Sequence, residues 1–108
     1  MRRAERPLLM LFSLLLLAGA HAQEPAAARR DALVHLLRHD CGSCHGLTLA
    51  GGLGPPLTAR ALHGKPAAAL EATILYGRPG TPMPPWHGML SAAEVRWMVH
   101  VLKNGSVQ

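Results

Sequence analysis

Two cysteines of this chain, Cys41 and Cys44, stand three apart, and His45 follows the second directly. A C-x-x-C-H run of this kind is the attachment signature of a c-type haem. The spacing has a physical reason. On a helical turn, residues three apart share one side, so both sulfurs reach one edge of a porphyrin and can form thioethers to its vinyl groups. The imidazole of the next residue is then placed to ligate the iron. A chain bound in this way must fold around a large, flat, apolar group, which constrains its architecture strongly.

A Cys-x-x-Cys pair also occurs in dithiol redox sites and in zinc sites. The first expects a strand-helix-strand setting, and no alternating strand pattern precedes Cys41. The second needs two further ligands. The nearest spare ones, His35 and His39, lie so close upstream that one short helical stretch would have to wrap a tetrahedral ion. His35 and His39 stand four apart on one predicted helix face; a solvated face is the plain expectation for them and a surface metal site the alternative.

The N-terminus supports export. Residues 1–6 carry three arginines, residues 7–20 are almost wholly apolar, and Ala20-His21-Ala22 is a small-x-small cleavage site. This pattern predicts a cleaved secretory signal peptide over residues 1–22 and one mature domain over 23–108. The apolar run is shorter than the about 20 residues that span a bilayer, so no membrane span is expected after cleavage. In an oxidising compartment outside the cytosol the two cysteines could form a disulfide, but so small a loop stabilises little, and covalent haem gives them a stronger role. In the mature part Tyr76, Trp86 and Trp97 are the only Phe, Trp or Tyr residues. A buried porphyrin would supply much of the apolar core that so small a domain lacks.

Across residues 23–108, eight Lys and Arg face five Asp and Glu, a balance of +3. The basic residues are scattered, with no run and no interleaved aromatics, so no nucleic-acid partner is expected. Mild attraction to an acidic redox protein fits the charge better.

From Ala26 to Asp40, Leu33, Leu36 and Leu37 fall at helical spacing, and Cys41 and Cys44 continue the stripe, predicting a first helix that runs into the motif. A second helix is predicted to open with Pro66 in its first helical position, to carry Leu70 and Ile74 on one face and to stop at Gly77. The third is the best marked: Ser91 and Glu94 form a capping box, Leu90 and Val95 stand where a hydrophobic staple would, and Asn104-Gly105 supplies the stop. Its buried face should include Val95, Met98, Val99 and Leu102. Between the helices, Gly51–Pro56 and Arg78–Pro85 are rich in Gly and Pro, as loops pressed against a planar group would be. Met98 and Met89 read as core packing, and Tyr76 and Trp97 as core or haem-lining residues. An all-α domain of three main helices with these loops around one haem is the expectation.

In this order of helix, C-x-x-C-H, Gly54-Pro55-Pro56-Leu57, helix, Met83-Pro84 and capped terminal helix, the chain resembles the small class I cytochromes c across nearly its whole mature length. Three longer words narrow the likeness: His39 to Thr48, Gly51 to Pro55, and Ile74 to Trp86. They are similar to the cytochrome c-55X group, which is associated with cytochrome cd-type nitrite reductase in denitrifying bacteria. Val101 stands where many relatives carry an aromatic that packs on the first helix, and Trp97 is the nearest replacement.

The resemblance implies one covalent haem c held by Cys41 and Cys44, with His45 and Met83 as the axial ligands of its iron. It implies that the Pro55 carbonyl accepts a hydrogen bond from His45; Trp86 either donates its indole N–H to a haem propionate or simply packs in the core. The proline frame of Pro82, Pro84 and Pro85 suits the Met83 role, because a rigid backbone reduces the entropy lost when the thioether is held at the metal. Two filled axial positions leave no site for substrate, so the implied protein is a monomeric periplasmic carrier of single electrons and not an enzyme. Its implied partners are periplasmic redox proteins, namely cytochrome cd-type nitrite reductase or the enzymes that complete that reductase's special haem. The alternative is a five-coordinate or weakly ligated haem acting as gas sensor or peroxidase. His63, His87 and His100 become rival ligands only if Met83 is not one.

Overall fold

The computed structural model describes residues 24–108, whose regular structure is all helical. The signal peptide expected over 1–22 lies outside the described residues. Helix α1 spans Ala27–Leu36 and continues without a break into a π-helical turn over Leu37–Cys41 and a last short segment, α2, over Gly42–His45. A single turn, α3 (Ala59–Leu62), precedes α4 (Ala67–Tyr76) and the terminal helix α5 (Ala92–Asn104). Helix α5 is the hub, packing against α4, α3 and α1.

The ends of α5 follow from its sequence. The Ser91 hydroxyl accepts from the Glu94 N–H at 3.1 Å and the Glu94 carboxylate accepts from the Ser91 N–H at 3.0 Å, closing the capping box. Two orphan donors of the first turn are thereby satisfied. Gly105 ends the helix at φ 78°, a left-handed cap that costs little without a Cβ. Glu94 also takes a hydrogen bond from the Arg29 guanidinium, tying the start of α5 to α1. That bond, with the Ser91 N–H next, holds the Glu94 carboxyl below its ordinary pKa.

The core is one cluster of Leu, Val and Met. Leu33 and Leu37 from the first helical run meet Val95, Met98 and Val99 of α5, all at 1% exposure or less. Each such side chain contributes about 1.5–3 kcal/mol of burial. The predicted stripe of α5 is buried as expected, with Val101 added at 7% exposure and Trp97 half-buried against the cluster. Leu49 is also buried, at 1%, although its φ of 60° is left-handed. Hydrogen bonds from its N–H to Gly46 and from the Leu57 N–H to its carbonyl, both 2.8 Å, hold it there.

Four details differ from the sequence reading. Pro66 is the N-cap of α4, with ψ 132°, and Ala67 is its first helical residue. The turn α3, capped by the Thr58 hydroxyl accepting from the Ala61 N–H, was not anticipated. Tyr76 is 67% exposed, because it lies two residues past Ile74 and so on another side of α4. Met89 is 70% exposed in the turn before α5, where the neighbouring Leu90 takes the buried place.

Candidate haem site

One large cavity of about 710 Å³ opens between the helices and the two Gly/Pro-rich loops. That volume lies within the range of small-molecule and cofactor sites. Cys41, Cys44, His45, Pro55, Met83 and Trp86 all line it, so every residue expected at the site is brought to one place. The floor is apolar: Leu37, Leu70, Ile74, Met98, Val99 and Leu102 come from the helices, and Leu90 from the turn before α5. Tyr76, His63, His87 and His100 are not among its lining residues.

The motif reaches the cavity because the first helical run carries it there. The π-turn bonds the Gly42 N–H to the Leu37 carbonyl, five residues back, and ends at Cys41, with Cys44 and His45 following in α2. The loop that follows takes up the orphan carbonyls at the end of α2: Gly54 N–H bonds Cys44 and Gly51 N–H bonds His45, each at 2.8 Å. This folds the Gly51–Pro56 segment back over the histidine, and His45 Nδ1 meets the Pro55 carbonyl at 2.7 Å. A carbonyl at that nitrogen requires it to be the protonated donor, which leaves Nε2 unprotonated and able to accept a metal. Gly54 makes the close approach possible. A Cβ there would lie 2.7 Å from His45 Nδ1 and 2.8 Å from Cε1, nearer than real Cβ contacts come.

The Met83 segment is held as firmly from the other loop. Arg78 N–H donates to the Met83 carbonyl at 3.1 Å, and the Thr81 hydroxyl accepts from the Met83 N–H at 3.3 Å while donating to Arg78. Trp86 N–H and His87 N–H bond the Ile74 and Leu75 carbonyls, fastening the far end of the loop to α4. Gly77, at φ 68° and ψ −170°, lets the chain turn beneath this loop. A Cβ on it would lie 2.7 Å from the Met83 carbonyl oxygen.

Burial pushes the Cys41 thiol up to about 11, with the Asp40 carboxylate adding to the effect. Reactive and disulfide-exchanging cysteines show the opposite shift. The described residues offer no group of three or more side chains suited to a separate metal ion. An apolar cavity with two thiols, an oriented imidazole and a thioether at its walls fits a covalent haem. Lys65, Arg78, Thr81 and the mouth residue Leu53, 93% exposed, also line it. No periodic pattern marks these, since all four lie outside the helices.

Comparison with known proteins points to the same cofactor. Residues 28–100 match the family described as cytochrome c oxidase, cbb3-type, subunit III. A cytochrome c55X of Pseudomonas aeruginosa is 55% identical over 91 residues, spanning 84% of this chain and 76% of the relative. A solved structure, the c-type cytochrome NirC, superposes with a TM-score of 0.75 at 59% identity, covering 77% of this chain and 98% of that one. The dihydro-heme d1 dehydrogenase of P. aeruginosa is 41% identical over 88 residues, which are 81% of this chain and 17% of the dehydrogenase. The chain belongs to the c-type cytochromes, as a member of the cytochrome c55X family, and its cofactor is covalently attached haem c.

Proposed function

We propose that this cytochrome is exported by its N-terminal signal and carries single electrons between periplasmic redox proteins, without catalysing a reaction of its own. The observation that carries the reading is that His45 and Met83, from separate segments, line one apolar cavity whose loops are fixed by hydrogen bonds. Bound haem supplies an iron that changes oxidation state by one electron. Cys41 and Cys44 would hold it through thioethers, while His45, its tautomer set by Pro55, would ligate the iron through Nε2 and Met83 would supply a thioether sulfur, a ligand pair that would raise the potential. With both positions taken, the chain's remaining work is to exclude water from the haem and present one edge of it to partners. Trp86 lines the same cavity and is the candidate partner of a propionate.

The sensor or peroxidase reading finds less support. A peroxidase needs a distal acid or base. The Met83 loop brings Arg78 and Thr81 to the cavity wall but no histidine or carboxylate.

The likeness to the dihydro-heme d1 dehydrogenase supports a partner in completing the special haem of cytochrome cd-type nitrite reductase. A dehydrogenase must pass on the electrons it removes, and a one-electron carrier suits that role. The test is rapid mixing of the oxidised cytochrome with substrate-loaded dehydrogenase, and of the reduced cytochrome with oxidised nitrite reductase. Fast haem reduction in the first mixture places the protein in maturation. Exchange only in the second makes it a donor to the reductase, and exchange in neither removes the proposed link.

A further inference from the structure

His35 and His39 take no part in the haem site. Both are exposed on the outer side of the helical run that carries the C-x-x-C-H motif, and their ring centres lie 4.2 Å apart, tilted by 37°. Neither ring has a hydrogen-bond partner among the described residues of the protein. Their closeness follows from the winding of the backbone. In a regular α-helix a four-residue step overshoots a full turn by about 40°. Here the step enters the π-turn at Leu37, where the wider winding turns less per residue, so His39 returns almost directly over His35. The feature is local to this face: His63, His87 and His100 are also exposed, and none has a second histidine in ring contact.

Two imidazoles sharing one zinc ion, each with a nitrogen about 2.0–2.1 Å from the metal, hold their ring centres roughly 5 Å apart. At 4.2 Å the rings stand nearer than that, and rotation about their exposed side-chain torsions would open them to it. We propose that His35 and His39 form a two-histidine site for a borderline divalent transition-metal cation, such as Zn²⁺, on the outer face of the haem-bearing helix, with water completing the coordination. Imidazole pairs favour such cations over Mg²⁺ or Ca²⁺, which take oxygen ligands. Asp31, one turn before His35 on the same face, adds negative charge nearby, and Arg38 beside His39 opposes it. The helix presents the two ligands together, so the second nitrogen binds at high effective concentration.

The test is calorimetric titration of the haem-loaded protein with Zn²⁺ alone, for the wild type and for His35→Gln and His39→Gln. The expected result is one site per chain, weakened on the order of 10-fold or more by either substitution, with the haem spectrum unchanged. Equal affinity in wild type and both variants overturns the proposal, as does the absence of binding by the wild type. Nitrogen-detected NMR of the wild type under Zn²⁺ gives a check that needs no variant. Ring signals of His35 and His39 should shift together and saturate at one equivalent. Shifts confined to His63, His87 or His100 overturn the site.

Discussion

Gly77→Ala is expected to loosen the Met83 loop and so to change the iron's surroundings from a position that touches no haem. Gly77 has φ 68° with ψ −170°, a region essentially closed to residues with a Cβ, and forcing alanine into it costs about 1–3 kcal/mol. The added Cβ would also stand 2.7 Å from the Met83 oxygen, 2.8 Å from the Pro84 carbonyl carbon and 2.9 Å from the Pro85 nitrogen. These are backbone atoms that no side-chain rotation can move away, so the loop itself must shift, at the roughly 1–3 kcal/mol typical of overpacking. The sum is on the order of 2–6 kcal/mol, a large share of the about 5–15 kcal/mol that holds a domain together. Gly80 in the same loop is the control. Its φ is 79°, but a Cβ there meets nothing within 4 Å, so Gly80→Ala should cost only about 1–2 kcal/mol. Thermal melts of the two haem-loaded variants should differ by roughly 4–8 °C for each kcal/mol between them. Only Gly77→Ala should weaken the far-red absorption band that a methionine sulfur gives ferric haem. Equal melting points and equal spectra for the two variants would refute the reasoning.

Two further outcomes follow from the site and the core. Glu94→Gln should cost about 0.5–1 kcal/mol at neutral pH, because the neutral amide can still close the capping box but loses the ion pair with Arg29. Because the Glu94 carboxyl is held below its ordinary pKa, by Arg29 first, its contribution is present above the unfolded carboxylate range and is lost as pH falls through the lower folded value. Urea melts at pH 7 and in acid should therefore show the wild type and Glu94→Gln converging on acidification; a constant gap would contradict the assignment. Cys44→Ala should leave at most one thioether and give a poor yield of stable protein, measured as haem-stained product after export. Full, stable holoprotein from that variant would mean that the fold does not depend on double attachment.

How much of this was legible in the sequence differs by element. Helix α5 could be read almost residue by residue, because its boundaries rest on local chemistry: a Ser91-Glu94 box, a Leu90-Val95 pair and a glycine stop. The course of the first helix was legible, but its π-turn was not, since the apolar stripe of Leu33, Leu36 and Leu37 continues through it at ordinary spacing. The close approach of the His35 and His39 rings was hidden for the same reason. Helix α3 has one turn and no periodicity; Thr58 ahead of Ala59-Arg60-Ala61 was its only signal. At the site, the side chains that carry chemistry stood out by type. The residues that make room for them did not: Gly54 and Gly77 matter through contacts between segments distant from their own neighbours, which no local pattern encodes.

The central claim is that Met83 closes the second axial position and thereby confines this cytochrome to electron transfer. A visible spectrum, a carbon monoxide titration and a redox titration of the haem-loaded wild type and of Met83→Ala test it most directly. The wild type should show the methionine-to-iron band and bind no carbon monoxide, while Met83→Ala should lose the band, bind the gas and fall in potential. Ready binding of carbon monoxide by the wild type, or an unchanged spectrum and potential in Met83→Ala, would contradict it.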